Sequence, residues 1–174
     1  MSLVDLTTVV PVDQMKGEDE DETGELLEML DEARQFLNSF TWCGEIREEY
    51  FGLGIGGIVA VFLFRIQPTR TDVDEWLWVI VGDLPPAYLV TDANPNPPCA
   101  LAGYVVEMLR WVHAVRRGRS IEKRIPVNTP ATTHYADMLD SRLQTLCEDV
   151  LRARYTLQLR GCHWGRQILK YGQQ

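Results

Sequence analysis

The stretch YFGLGIGGIVAVFLF, residues 50–64, decides the interpretation of the fold, because it admits two incompatible structures. Gly52, Gly54 and Gly57 match the spacing G-x-G-x-x-G of dinucleotide-binding loops, in which a helix follows the glycines and directs its N-terminus at the pyrophosphate. The residues after Gly57 are β-branched and aromatic without helical periodicity, so they predict a strand. The glycines therefore indicate a hairpin connection or a bulge, and no nucleotide cofactor is expected.

Four strands are predicted in the middle of the chain, and their connections are too short for parallel crossovers. Residues 45–51 have the composition of a polar strand, and three apolar strands follow at 58–66, 75–82 and 87–91. The second and third strands lack the alternation of a half-solvated sheet, so we expect both faces of the sheet to be covered. An apolar face that no helix covered would have to be buried against a second copy, the N-terminal arm, the C-terminal tail or a partner, which favours a binding role.

Three helices complete the predicted fold. Apolar residues recur at intervals of three and four over residues 23–40, over 98–118 and from 133 onwards, which predicts one buried stripe on each helix. We therefore predict an α+β fold, in which a four-stranded antiparallel meander sheet packs with three helices in the order α-β-β-β-β-α-α.

The predicted domain organisation is an acidic arm, one α+β domain and a C-terminal tail. Five consecutive acids, Glu18 to Glu22, repel one another and favour a flexible arm over residues 1–22. Residues 4–12 have, as an alternative, the composition of an edge strand. A single domain is expected over 23–160, because 174 residues suit one continuous core, and residues 161–174 show no clear period.

Negative charge is concentrated at the front of the chain. Residues 1–50 carry a net charge of −11 and residues 51–174 a net charge of +3, within a total of −8. Such an acidic region repels nucleic acid and attracts basic proteins. The basic run RRGRSIEKR at 116–124 fits cations at and after a helix C-terminus, so no nucleic-acid partner is expected.

The sequence also bears on location. No apolar stretch is long enough to span a membrane, and the N-terminus lacks the cationic and apolar pattern of a secretory signal. We therefore expect a cytoplasmic protein with no membrane partner.

No residue pattern indicates a catalytic or metal chemistry. Four cysteines are scattered without a C-x-x-C pair, and in the cytosol they would stay reduced as packing residues. They are Cys43, Cys99, Cys147 and Cys162. No two histidines have the spacing of a helical metal pair, so neither a metal nor another cofactor is expected. The alternative is a small enzyme in which Cys43, His113 or His163 takes part in a site that the sequence does not connect.

Two segments carry a resemblance to a known kind of protein. WCGEIREEYFGLGIGGIVAVFLF (42–64) and DEWLWVIVGDLPPAYL (74–89), within residues 33–150, resemble small bacterial α+β proteins of the immunity-protein type. The resemblance lies in a compact, acidic chain that carries tryptophans. It implies an inhibitor that docks on a toxin, and it gives no individual residue a role.

The sequence thus favours a non-enzymatic module that binds and masks a more basic protein, such as a toxin. The predicted contact residues are the acids of the polar strand and of a neighbouring loop: Glu45, Glu48, Glu49, Asp72 and Asp74. An exposed tryptophan would add a binding hot spot, and Trp42 and Trp164 lie outside the regular elements. The alternative is a homodimeric secretion chaperone or adaptor that dimerises through an apolar sheet or helix face.

Overall fold

Five strands form one antiparallel meander in a computed structural model that describes residues 4–171. Their spatial order is β1-β2-β3-β4-β5, and each strand is antiparallel to its neighbours. The strands are β1 (Val10–Pro11), β2 (Glu45–Ile55), β3 (Val59–Gln67), β4 (Trp76–Gly82) and β5 (Ala87–Val90). The predicted α+β class and antiparallel sheet are confirmed, but the predicted count of four strands is wrong.

The additional strand comes from the segment before the first helix. Val10 pairs with Phe51 and Pro11 with Tyr50, so the edge-strand alternative for this segment is the one that forms. Val9 and Met15 on either side of β1 are buried, and apolar burial holds the segment where composition alone indicated a solvated arm. Pro11 lacks an N–H, which suits a position on the edge of a sheet.

The glycine-rich stretch is a hairpin between β2 and β3, as predicted. The turn has Gly57 at φ +73°, and the N–H of Ile58 donates to the carbonyl of Ile55 at 3.0 Å. The pairing register shifts between Phe51 and Leu53, which places the predicted bulge at Gly52. Because β3 follows the turn, no helix N-terminus is available to bind a phosphate there.

Within residues 4–171, five α-helices accompany the sheet, where three were predicted. They are α1 (Glu20–Asn38), α2 (Pro97–Arg116), α3 (Thr133–Thr145), α4 (Thr156–Leu159) and α5 (His163–Tyr171). The residues Leu146–Arg152 continue α3 as a π-helix, and 3₁₀ turns form at Leu6–Thr8 and Val12–Gln14. The two helices that the sequence did not predict lie where its periodicity becomes irregular.

The chain divides into two compact units, one that ends at Pro97 and one that begins at Pro98. The domain boundaries predicted near residues 22 and 160 do not coincide with this division and stay predictions. Unit 1 contains the sheet and α1, and unit 2 contains nearly all of α2 and the helices that follow it.

The core of unit 1 lies between α1 and one face of the sheet. The helix contributes Leu26, Met29, Leu30, Ala33 and Leu37, and the sheet contributes Phe62, Phe64, Leu77, Val79 and Val81. The side chains on the other face of β3 and β4, such as those of Val61 and Trp78, are buried as well. Over Val59–Phe64 of β3 and Leu77–Val81 of β4 the side chains on both faces are buried, as the missing alternation predicted.

Helix α1 begins earlier than the sequence predicted, because the acidic run supplies its cap. The Asp19 carboxylate accepts a hydrogen bond from the N–H of Glu22 at 2.8 Å. The Glu22 carboxylate in turn accepts one from the N–H of Glu18 at 2.9 Å. These carboxylates satisfy N–H groups at the first turn and complement the positive end of the helix dipole.

Unit 2 contains a disulfide between Cys99 in the first turn of α2 and Cys162 immediately before α5, 63 residues apart. The prediction that all four cysteines are reduced packing residues is therefore wrong for this pair. It holds for Cys43 and Cys147, which are free and buried. The spacing of Cys99 and Cys162 along the chain does not indicate that the two residues meet in the fold.

Candidate functional site

The five predicted contact acids do not form one set of free charges. Glu45 pairs with Arg47 at 3.3 Å, and Glu48 lies 3.5 Å from Arg65. Asp72 pairs with Arg70 at 2.6 Å. Glu49 is paired with Arg34 of helix α1, so four of the five predicted acids are engaged within the chain.

Glu49 is held by the guanidinium of Arg34. Nε and Nη2 of Arg34 donate to the two carboxylate oxygens at 2.6 and 2.8 Å, and Nη1 donates to Asp31 at 2.9 Å. The hydrogen bonds that Arg34 donates to Glu49 raise the pKa of Arg34 above its ordinary value. This bidentate pair joins α1 to β2 and is separated from the other predicted acids.

An open cavity of about 750 Å³ lies at one end of the sheet, and Glu48 is the one predicted acid that lines it. Its other lining residues include Arg47, Arg65, Arg70 and Glu75, and Asp72 and Asp74 lie between lining residues of the loop between β3 and β4. The side chain of Arg47 also donates to Gln67. The lining of the cavity therefore contains more arginines than predicted contact acids.

These ion pairs are largely exposed, so each contributes little to stability. Their consequence for binding is larger, because a carboxylate that already has an arginine attracts a cationic partner less. Of the predicted contact residues, only Asp74 is exposed without such a pair in the part of the chain that the structure describes. The predicted residues are therefore a weaker candidate site than the sequence suggested.

Unpaired negative charge lies instead on the solvent side of α1. Four exposed acids fall within about 60° of one another around the helix axis, because successive residues are about 100° apart. We call them the acidic stripe: Asp21, Glu25, Glu28 and Glu32. The spacing Glu28 to Glu32 places like charges one turn apart, which disfavours the helix slightly. Beyond Asp21, which lies in the first turn and complements the helix dipole, the stripe has no evident stabilising role in the fold.

Four aromatic side chains meet beside the C-terminal end of α1, and we call them the aromatic cluster: Phe36, Phe40, Trp42 and Tyr88. The rings of Phe40 and Trp42 stack with centroids 4.8 Å apart, and Trp42 contacts Tyr88 edge-on at 5.0 Å. Tyr88 is 36% exposed and the other three rings are half-buried. The cluster covers the core on one side and presents ring edges to solvent on the other.

The acidic stripe and the aromatic cluster adjoin each other on one flank of α1. Phe36 lies about 40° from Glu32 around the helix, whereas Arg34 lies about 160° from it on the flank that faces β2. The ring of Phe36 reaches Tyr88 at 6.4 Å between centroids. Together they form one acidic–aromatic surface within unit 1, and this surface is the candidate functional site.

The residues of the enzyme alternative do not assemble a reactive group within either unit. Burial raises the pKa of Cys43, and it raises the pKa of Cys147 to about 11, so both thiols are protonated at neutral pH. His113 is exposed on α2, and the exposed His163 contacts Gln167 at 3.1 Å. No group of three potential metal ligands occurs in the described residues.

Two tryptophans were candidates for hot spots. Trp42 belongs to the aromatic cluster, whereas Trp164 is half-buried with Arg110 over its ring at 5.1 Å. The sequence contained a partial signal for the cluster, since Phe36 and Phe40 are one helical turn apart and Trp42 follows them. The sequence did not indicate that Tyr88 joins the aromatic cluster, because this contact depends on the distance between β5 and α1.

Comparison of the chain with models of protein families, with curated proteins and with solved structures found no match. Within residues 4–171, no helix is long and apolar enough to cross a membrane. The immunity-protein resemblance therefore stays a prediction, and the surface has to be interpreted from its own geometry.

Proposed function

We propose that the protein is a non-catalytic module that docks on a basic protein partner through the acidic–aromatic surface and masks it, as an immunity-type inhibitor masks a toxin. The observation that carries this proposal is the position of the acidic stripe directly beside partly exposed aromatic rings. Each feature has a separate physical role in binding.

The aromatic cluster supplies the short-range part of the interaction. Interface hot spots are enriched in tryptophan and tyrosine, which bury large areas and lose little conformational entropy. Trp42 and Tyr88 hold each other edge-on, and Phe40 stacks on Trp42. The rings are therefore fixed before a partner arrives, which reduces the entropy lost on binding.

The acidic stripe supplies the long-range part. Like charges grouped on one face accelerate the encounter with a partner of opposite charge, and salt weakens this effect. The stripe contains no base, and the arginine of α1 is directed to Glu49 on the other flank. No base of α1 therefore neutralises the negative potential of the acidic stripe, and a basic partner is attracted to it.

Co-purification from the native host at low and high salt tests this function, with a set of charge variants. We expect the wild-type chain to recover a basic protein in stoichiometric amount, and Glu25→Gln, Glu28→Gln and Glu32→Gln combined to slow its association about tenfold at low salt. The matched control combines Glu45→Gln, Glu48→Gln and Asp72→Asn, which removes the same charge from acids already paired with arginine.

The aromatic part is tested on the same complex. Replacing Tyr88 with alanine should weaken binding about tenfold or more, mainly through faster dissociation. Leu27→Ala is the control, because Leu27 is 48% exposed on the same helix but lies away from the cluster. Recovery of no stoichiometric partner at either salt, or equal binding by all of these variants, would contradict the proposed function.

A further inference from the structure

Strand β5 is an edge of the sheet with an open side. It pairs with β4 through the register Leu77↔Val90 to Ile80↔Ala87, and it pairs with no other strand of the described chain. The register has no bulge, and Ala87–Val90 contain neither lysine nor proline. Lysines, prolines and bulges are among the devices by which natural sheets prevent further pairing, and this edge lacks them. The side-chain amide of Asn94 donates to the Val90 carbonyl at 2.8 Å, and the rest of the short edge is available to another strand.

The side chains of β5 extend the acidic–aromatic surface to this edge. Tyr88 lies opposite Val79 and Val90 opposite Leu77, and both partners belong to the core on the α1 face of the sheet. Tyr88 and Val90 are 36% and 41% exposed on that face. A strand added beside β5 would therefore place every second side chain against Val90 and the aromatic cluster.

Charge decides between the possible occupants of this edge. The acidic stripe lies on the same flank of α1 as Tyr88, so an added strand with basic side chains gains favourable interactions. A second copy of this chain has a net charge of −8 and would bring its own acidic residues to the same place. The charge distribution thus favours a basic segment of another protein.

We propose that β5 accepts an extended segment of the basic partner as a sixth strand, an inference that rests on the proposed function. Backbone hydrogen bonds to the open edge supply affinity. The side chains on the α1 face of the added strand make the specific contacts: apolar ones with Val90 and Tyr88, and basic ones on the same face with the acidic stripe. This is β-strand addition, a recognised mode of peptide recognition.

The first test uses a synthetic peptide of about eight residues, long enough to span a strand, in which every second residue is alternately valine and lysine and the residues between them are threonine. The valines and lysines then share one face of the peptide. Its control has N-methyl groups on the valines and lysines, which remove hydrogen-bond donors from one edge and block close pairing there. Titration followed by tryptophan fluorescence should show at least about tenfold weaker binding of the methylated peptide.

The second test uses two matched variants of the chain. Val90→Lys on β5 and Val10→Lys on β1 add the same charge at valines that are 41% and 40% exposed. We expect Val90→Lys to weaken binding of the unmethylated peptide about tenfold and Val10→Lys to leave it nearly unchanged. Hydrogen exchange of the amides of residues 87–90 should slow when the peptide is bound.

Three results would overturn strand addition. They are equal binding of the two peptides, no binding of either, and sedimentation as a dimer that Val90→Lys dissociates, which would make a second copy the occupant. The charge and Tyr88 variants test the proposed function on the natural complex, whereas N-methylation and Val90→Lys test the edge. If N-methylation and Val90→Lys did not change binding, while the charge variants and the Tyr88 variant still weakened the natural complex, strand addition would be refuted and the proposed function would stand.

Discussion

The two units of the chain are stabilised by different means. Unit 1 packs α1 on a sheet whose central side chains are fully buried, so its stability comes mainly from apolar burial. Unit 2 consists of helices, includes a seven-residue π-helix, and contains a disulfide that closes a span of 63 residues. Unit 2 also buries apolar side chains such as Leu101, Trp111 and Leu143, so the difference is the covalent restraint that unit 2 adds to apolar burial.

The largest expected effect is loss of that bond. Replacing Cys99 and Cys162 together with alanine should lower the free energy of unfolding of unit 2 by about 4 kcal/mol, because a loop of this length restricts the unfolded chain strongly. Urea unfolding gives the total loss, and hydrogen exchange assigns it to residues after Pro98. Unchanged protection of unit 2 would show that its helices do not need the disulfide.

Truncation of a core side chain tests how strongly unit 1 depends on apolar burial. Leu37→Ala removes a fully buried side chain from the interface between α1 and the sheet, with an expected loss of about 3 kcal/mol. Leu27→Ala on the same helix is the control and should change stability by less than about 0.5 kcal/mol, because Leu27 is 48% exposed. Equal losses from the two variants would contradict the packing described for α1.

Alkaline pH should weaken unit 2 through a buried thiol. Burial raises the pKa of Cys147 from 9.0 to about 11, so the unfolded chain releases this proton first. The unfolded state then binds fewer protons than the folded state, and stability falls as pH rises from 9 to 11, by about 2 to 3 kcal/mol in total. Burial also raises the pKa of Tyr104 well above its usual 10, which adds to the loss above pH 10.

Cys147→Ala separates the two groups. The slope of stability against pH between 9 and 10 should fall to the smaller part that Cys43 contributes, whereas the slope above pH 10 should remain. Rapid-mixing unfolding is the suitable measurement, because thiolate attack on the disulfide is then too slow to compete. An unchanged slope between pH 9 and 10 would mean that Cys147 is not shielded from solvent as described.

The smallest predicted effect concerns the start of α1. Asp19→Ala removes the carboxylate that accepts from the N–H of Glu22, and unit 1 should lose about 1 kcal/mol. Asp21→Ala is the control in the same turn, since Asp21 does not serve as the N-cap. Thermal unfolding of the two variants compares them directly, and a larger shift for Asp21→Ala would be inconsistent with the cap.

The parts of the fold that could be predicted are those with a local pattern. The centre of the sheet could be identified from the apolar composition of β3 and β4 and from the glycines of the hairpin. The helix that covers the sheet could be identified from the apolar periodicity of α1. Strand β1 was only an alternative, because two residues with a proline give little strand signal. The disulfide could not be predicted, since Cys99 and Cys162 meet only after the chain has formed several helices.

The candidate site was predicted less well than the fold, for a physical reason. Acidity at the front of the chain was visible in the sequence, but whether an acid is free depends on the register of its strand. Glu48 meets Arg65 because the two residues are partners across β2 and β3, and no spacing along the chain shows this. The acids of α1 were seen as the polar side of a helix and were not proposed as contacts.

The disulfide also bears on where the protein works. Disulfides persist in oxidising compartments and are rare in the cytosol. The bond between Cys99 and Cys162 therefore stands in tension with the cytoplasmic location that the sequence favours, and that location stays a prediction. Alkylation of the native protein taken directly from cells would show whether the two thiols are joined there.

The two margins of the sheet differ, because β1 has only two residues, one of them Pro11, while β5 offers four residues without a proline. Fibrils grow when each newly added chain exposes a fresh template like the one it has just covered. A sheet that accepts a strand at only one of its two edges has no second open edge of its own, so it stops growing after the first strand is added. The proline margin thus favours discrete complexes of defined stoichiometry over open-ended polymers.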